Sequence, residues 1–199
     1  MVLIYVYFCC NCILLLGSVW HHNRQAYLGR WVLKLRASEF FVKELDYSSL
    51  NKDAVVPHPQ TGDDSYGYIS NYKSRNMILP SGEIYLRVGK HFGMGKGFGV
   101  NLIWGGHAHE LPRWGCRNIH EVPSYVASIL TSGAQVLCEF HQTREGYRLT
   151  VVRGSKGCVI LSPQRDAQQQ NFYSVITAYK AHRNRDATNV GTLKTKKAP

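Results

Sequence analysis

Acidic residues, prolines and early charges are scarce in this chain of 199 residues, and each scarcity excludes something. Seven prolines exclude a collagen-like or proline-rich rod. No charge occurs before Arg24, and residues 1–16 are apolar apart from Asn11. Outside that run the cysteines are Cys116, Cys138 and Cys158, an odd number with no Cys-x-x-Cys pair. A secreted-type disulfide framework is therefore not expected, and Cys138 and Cys158 read as small core residues in a reducing compartment. Thirteen Asp and Glu face 24 Lys and Arg, a net charge of +11. From Glu83 onward there are 16 basic and 7 acidic residues, so that stretch holds +9 of it. Such a balance suits a polyanion, most often nucleic acid, because each neutralised phosphate releases counterions. The plain alternative is a solvated basic surface. With 44% hydrophobic and 19% charged residues the composition is globular, and the length suits one domain with a minor segment.

Four regions follow from the pattern along the chain. Residues 1–20 form a hydrophobic segment close to the ~20 residues a membrane span needs. It reads equally as an anchor, a signal, or a start-site artefact or remnant of a longer chain, since a basic leader and a cleavage site are unclear. As an anchor it would keep His21, His22, Arg24 and Arg30 in the cytoplasm. Residues 21–81 type poorly. Trp31, Leu33 and Leu35 alternate like a strand, Phe41 and Leu45 are spaced like a helix face, and residues 46–81 read as a polar linker ending at the Pro80-Ser81-Gly82 turn. Residues 82–192 carry regular signals, and 193–199 form a basic tail, with the chain expected to be loose from His182.

Within 82–192, Ile84, Leu86 and Val88 alternate with Glu83, Tyr85 and Arg87, as a half-buried strand requires. A loop with Gly93, Gly95, Gly97 and Gly99 follows. Val100, Ile103, Trp104, His107 and Leu111 then fall on one helical stripe, which Gly105 and Gly106 weaken by about 1 kcal/mol each relative to Ala. A second helix is signalled by Pro123 near its start, the stripe Val122, Val126, Ile129, and Gly133 as its stop. Strands over 135–140, 147–153, 158–161 and 172–179 complete the pattern, with turns at Arg144-Glu145-Gly146 and Gly154-Ser155-Lys156-Gly157. The expected class is α+β, two helices followed by, and packed on, an antiparallel sheet.

Two tempting motifs fail on spacing. A phosphate loop needs glycine where Lys90 stands and Ser or Thr where Gly97 stands, and every GxGxxG register meets Phe98, Val100 or Leu102 at its third glycine. What remains is a glycine loop with Lys90, His91 and Lys96 whose amides can approach a phosphate. His107 and His109, near Cys116 and His120, lie about 200° apart around a helix and cannot easily share an ion. No cofactor or metal is expected.

His107 is more informative, since its stripe faces the sheet. Arg153, Ser174, Thr177 and Tyr179 fall within reach, with Thr177 and Tyr179 expected on the strand face of Tyr173 and Val175 and Ser174 on the other. A near-neutral histidine, a fixed arginine and hydroxyl donors suit metal-free cleavage of RNA, while the ordinary reading is a set of satisfied core polar groups.

The strings GEIYLRVGKHFGMGKGFGVNLIWGGHAHEL, EVPSYVASIL, VVRGSKGCVIL and FYSVITAY resemble phage- and toxin-associated nuclease domains of the barnase–EndoU–colicin–RelE superfamily, over about residues 82–192. The resemblance implies that superfamily's RNase fold and a metal-independent endoribonuclease, often directed at tRNA, that acts in the cytoplasm as a delivered effector or phage product. It further implies an immunity protein or antitoxin as partner. His107 matches the helix histidine, Arg153 the arginine closing a central strand, and Ser174, Thr177 and Tyr179 the polar positions of the last strand. Lys90 and His91 match basic residues after the first strand. Relatives carry histidine directly before the Ile-Trp pair, where this chain has Leu102. That departure leaves His91 or His109 as substitutes, or else an inactive basic module that binds RNA or protein within a phage-encoded protein.

Overall fold

A computed structural model describes residues 46–74, 77–93, 95–144, 147–180 and 187–195, all within the unit Ala37–Pro199. The hydrophobic segment 1–20, the ambiguous stretch 26–45, and residues 181–186 and 196–199 of the basic end lie outside the described residues. Among the described residues no helix is long and apolar enough to cross a membrane.

The chain enters through strand β1 (Ser65–Ile69), a short ribbon of β2 (Tyr72–Ser74) with β3 (Met77–Leu79), and strand β4 (Gly82–Tyr85). A second ribbon pairs β5 (Lys90–His91) with β6 (Gly97–Phe98). Helices α1 (Gly99–His107) and α2 (Val122–Ile129) follow, separated by two short 3-10 turns. The long strands β7 (Gln135–Arg144), β8 (Tyr147–Gly154), β9 (Gly157–Arg165) and β10 (Asn171–Tyr179) form a meander, and β11 (Thr188–Thr192) closes the order.

Seven strands make one sheet in the order β1-β4-β10-β9-β8-β7-β11. The mixed α+β class holds, but the arrangement differs from two helices followed by an antiparallel sheet. Strands precede the helices as well as follow them, and β4 lies parallel to β10. The reason is the connection: the hairpin and both helices separate β4 from the meander, and a long crossover permits parallel pairing where short loops cannot.

One apolar cluster lies under the helices. Val100 and Ile103 of α1, with Val122, Val126 and Ile129 of α2, pack on Val136, Val152, Val159 and Ala178, a row of matched residues across four strands. A smaller cluster, Leu137, Val151, Cys158 and Ile160 with Ile176, Tyr179 and Ala187 against it, occupies the alternate positions of the same strands.

The segment read as a linker is part of this fold. Tyr47, Val56, Tyr66, Ile69 and Leu79 belong to the larger cluster, so the domain begins well before Gly82. Part of its polarity is satisfied internally: Tyr66 donates to the Pro57 carbonyl at 3.0 Å, and the Asn101 amide donates to the carbonyls of Tyr47 and Gly89, each at 3.1 Å. The expected tail is corrected too. β11 pairs with β7, Leu193 is buried, and its amide donates to the Ala134 carbonyl at 2.8 Å.

Two predictions follow. Ile69 is 1% exposed and Ile78, nine residues on, is 59% exposed. Ile69→Ala should cost about 2–5 kcal/mol in urea unfolding, against a change within about 0.5 kcal/mol for Ile78→Ala; equal small effects would return the segment to a linker. In the turn before β1, Nδ1 of His58 accepts from the amides of Gln60 and Thr61, both at 3.3 Å. Burial holds its pKa below the ordinary 6.5, with Asp63 opposing. The unfolded chain therefore takes up this proton first, so the stability is present above about pH 6.5 and lost as pH falls through the lower folded value. Acidification from neutrality to about pH 5 should lower the melting temperature more in the parent than in His58→Gln.

Candidate active site

His107 ends α1, and its ring centroid lies 6.0 Å from that of Tyr179 and 6.4 Å from that of Trp114. Trp114 in turn stacks on Tyr125 at 5.9 Å. Nδ1 of His107 stands 3.5 Å from Oε2 of Glu110, one helical turn further on. This contact is an ion pair only when the imidazole is protonated; Nε2 lies on the opposite side of the ring.

Tyr179 begins a row across the sheet. It lies opposite Cys158, Cys158 opposite Arg153, and Arg153 opposite Gln135. Residues directly opposed across antiparallel strands share a face, so Tyr179 and Arg153 flank Cys158 on one surface. It is the face turned away from α1 and α2 rather than the helix-covered face on which the sequence reading expects Arg153. Thr177 occupies the next row, with Ile160, Val151 and Leu137. Burial pushes the Tyr179 phenol up to about 12, with Cys158 and Glu139 adding to the effect. It stays protonated at neutral pH and can donate.

A register shift between Val175 and Thr177 decides which side chains meet. Tyr173, Val175 and Ala178 all join the cluster beneath the helices, whereas Ile176 and Tyr179 pack on the other. Strict alternation puts Thr177 and Tyr179 on the face of Tyr173 and Val175. The bulge inserts one residue and moves them to the face of Ser174, as bulges do when they re-aim side chains.

Ser174 shares that face but not the site. It is buried five residues up the strand and accepts from Nε of Arg87 at 3.0 Å. Lys90 and His91 are exposed on the β5–β6 ribbon. The His91 ring rests against α1 where a Cβ on Gly105 would lie 2.7 Å from its Nδ1, which gives the helix-weakening glycine a purpose. Gly105 and His107 are about 200° apart around the helix, so His91 does not reach the Tyr179 side. His109, with 78% of its side chain exposed, stands 3.8 Å from the other Glu110 oxygen. Leu102 is 5% exposed. Among the described residues no group of three or more His, Cys, Asp or Glu comes together in a way that could hold a metal ion.

Three participants escaped the sequence reading. Glu110 had a usable signal, its i, i+3 spacing from His107. Glu139, 4% exposed and in the alternation of Leu137, reads in sequence as an ordinary outward strand residue. Arg87 likewise looked solvent-facing. Comparison with protein-family models, curated proteins and solved structures returns no match.

Ser174 holds a partly buried guanidinium rather than lining the row. Ser174→Ala should therefore lower stability by about 1–3 kcal/mol, read as an earlier urea midpoint. An unchanged midpoint would show that Arg87 does not depend on this hydroxyl.

Proposed function

We propose that the domain is a metal-independent ribonuclease that cleaves by attack of the 2'-hydroxyl on the adjacent phosphate. The observation that carries this reading is the meeting of His107 with Tyr179 at the head of the row that runs to Arg153. With Glu110 at Nδ1, Nε2 of His107 takes the proton of the 2'-hydroxyl as its oxygen bonds to phosphorus. Arg153, a permanently charged planar fork, stabilises the pentavalent phosphate. The bond to the leaving 5'-oxygen then breaks, and the Tyr179 phenol supplies the proton that oxygen needs. A phenol with a pKa of about 12 remains a stronger acid than an alcohol, so the transfer runs downhill. The products are a cyclic phosphate and a free 5'-hydroxyl, and water returns the proton from His107 to Tyr179.

This division of labour answers the departure at Leu102. Leu102 is buried, His91 rests on the far side of α1 and His109 is largely exposed, whereas Tyr179 meets the His107 ring, so the second proton carrier is the tyrosine. The basic surface fits RNA as substrate, tRNA among its forms, and fits an acidic immunity protein as antagonist. Thr177 lies one row from Tyr179 with its hydroxyl buried and without a hydrogen-bond partner among the described residues, so its part in orienting the phosphate would run through the Tyr179 strand rather than by contact. The competing reading is a basic RNA-binding module without turnover, which the apolar side chain at Leu102 favours.

The test is RNA incubated with the purified full chain in EDTA. The expected result is cleavage to cyclic phosphate ends, with His107→Ala, Arg153→Ala and Tyr179→Phe each slower by about 10²–10⁴-fold while retaining the parent's melting profile. Arrest by EDTA, or a His107→Ala variant as fast as the parent, overturns the mechanism. Salt-sensitive binding with intact RNA selects the binding module.

A further inference from the structure

The β5–β6 hairpin holds a large apolar side chain out of the fold amid positive charge. Phe92 is 61% exposed, between the exposed Lys90, His91 and Lys96. No Asp or Glu occurs between Glu83 and Glu110, so the hairpin and the helix it rests on have no negative side chain of their own. The ammonium of Lys90 sits 5.3 Å from the Phe92 ring centroid. Phe98, the hairpin's other aromatic residue, is already engaged by Arg87 at 4.3 Å.

The shape of the arm is built in. The Phe92 amide donates to the Lys96 carbonyl at 2.9 Å, and the Lys96 amide to the Gly93 carbonyl at 3.1 Å. At its root a Cβ on Gly89 would collide with the Phe98 carbonyl, and one on Gly97 with the Lys90 carbonyl, both at positive φ. Any other residue at either position would break the two-residue ladder. A lone exposed apolar residue is ordinary. One fixed on a glycine-built arm, flanked by two exposed lysines, and anchored through His91 to the helix that ends in His107, has the composition of a stacking platform for bases.

We propose that the Lys90–Phe98 hairpin is a binding arm for single-stranded RNA, with Phe92 stacked on one base and Lys90 and Lys96 on the neighbouring phosphates. The proposal rests on the reading of RNA as substrate and names its form. A base face is free to stack only where the strand is unpaired, so the arm selects single-stranded loops or ends over duplex. The arm packs on the side of α1 opposite His107, so it would hold the substrate strand away from the scissile phosphate rather than at it.

The experiment is fluorescence anisotropy with a short labelled oligouridylate and, separately, an oligoadenylate–oligouridylate duplex, using the full-length chain with His107→Ala so that the RNA stays intact. Phe92→Ala should weaken single-strand binding about tenfold or more and leave duplex binding as in the parent. Phe92→Trp should restore it, with tryptophan emission quenched on binding. Lys90→Ala and Lys96→Ala should each reduce the salt slope by about one ion. Equal single-strand affinity of Phe92→Ala and the parent, or equal losses on both RNAs, overturns the arm. So does Phe92-dependent competition by polyglutamate, which would assign the surface to an acidic protein. Cleavage plays no part in these readouts. If Phe92 stacks but the parent does not cut, the nuclease reading alone falls; if the parent cuts and Phe92→Ala binds as well as before, the arm alone falls.

Discussion

The guanidinium of Arg87 reaches Asp53 at 2.9 Å, Ser174 at 3.0 Å and Gln164 at 3.1 Å, and lies over the Phe98 ring at 4.3 Å. Those partners belong to the segment before β1, to β10, to β9 and to the hairpin, so one side chain fastens four parts of the chain that are distant in sequence. Burial lowers its pKa and the Asp53 carboxylate opposes that change, as expected of a cation drawn out of water and then paired. A partly buried cation with several good partners loses some of its compensation when one of them is removed, although water reaches the Asp53 side of the pair. The consequence for function is positional. β10 carries Tyr179 at its far end and the hairpin carries Phe92, and both are fixed to the same anchor.

From that anchor the strand runs five residues to Tyr179, and the register shift on the way has more chemical consequence than any single side chain. Without it, Tyr179 would point beneath the helices among Val152 and Val159. With it, the phenol enters the row of Cys158 and Arg153. The site is therefore a product of strand geometry: a hydroxyl donor and a permanent cation on one surface, with a histidine delivered to its end by the last residue of α1.

What could be read from the sequence was what local periodicity controls. The alternation of Ile84, Leu86 and Val88, the helical stripes through Ile103 and Val126, and the glycine turn between β8 and β9 all depend on neighbours a few residues apart. His107 emerged from the same logic. The segment from Tyr47 to Leu79 did not, because its core residues are irregularly spaced and two of the five are tyrosines set among polar residues, which alternation arguments treat as surface. β11 escaped for a similar reason, since its run Thr-Asn-Val-Gly-Thr is half polar and gains its stability from the edge of β7. The bulge is invisible to any alternation rule, and that is why the sequence places Thr177 and Tyr179 on the wrong face.

His107 retains about a quarter of its side-chain exposure, and Glu110 is more exposed still. Water reaches this pair in the free protein, so its electrostatic effect is weakened until something covers it. A bound RNA strand would provide that cover, and strand segments that react with nothing would then contribute to the rate by holding the reacting phosphate still and dry. On that argument the hairpin and the row are parts of one device. On the proposed reading, binding energy gathered at the exposed aromatic arm would be used at the histidine that ends the helix the arm rests on, with the root of the arm held at Phe98 by Arg87.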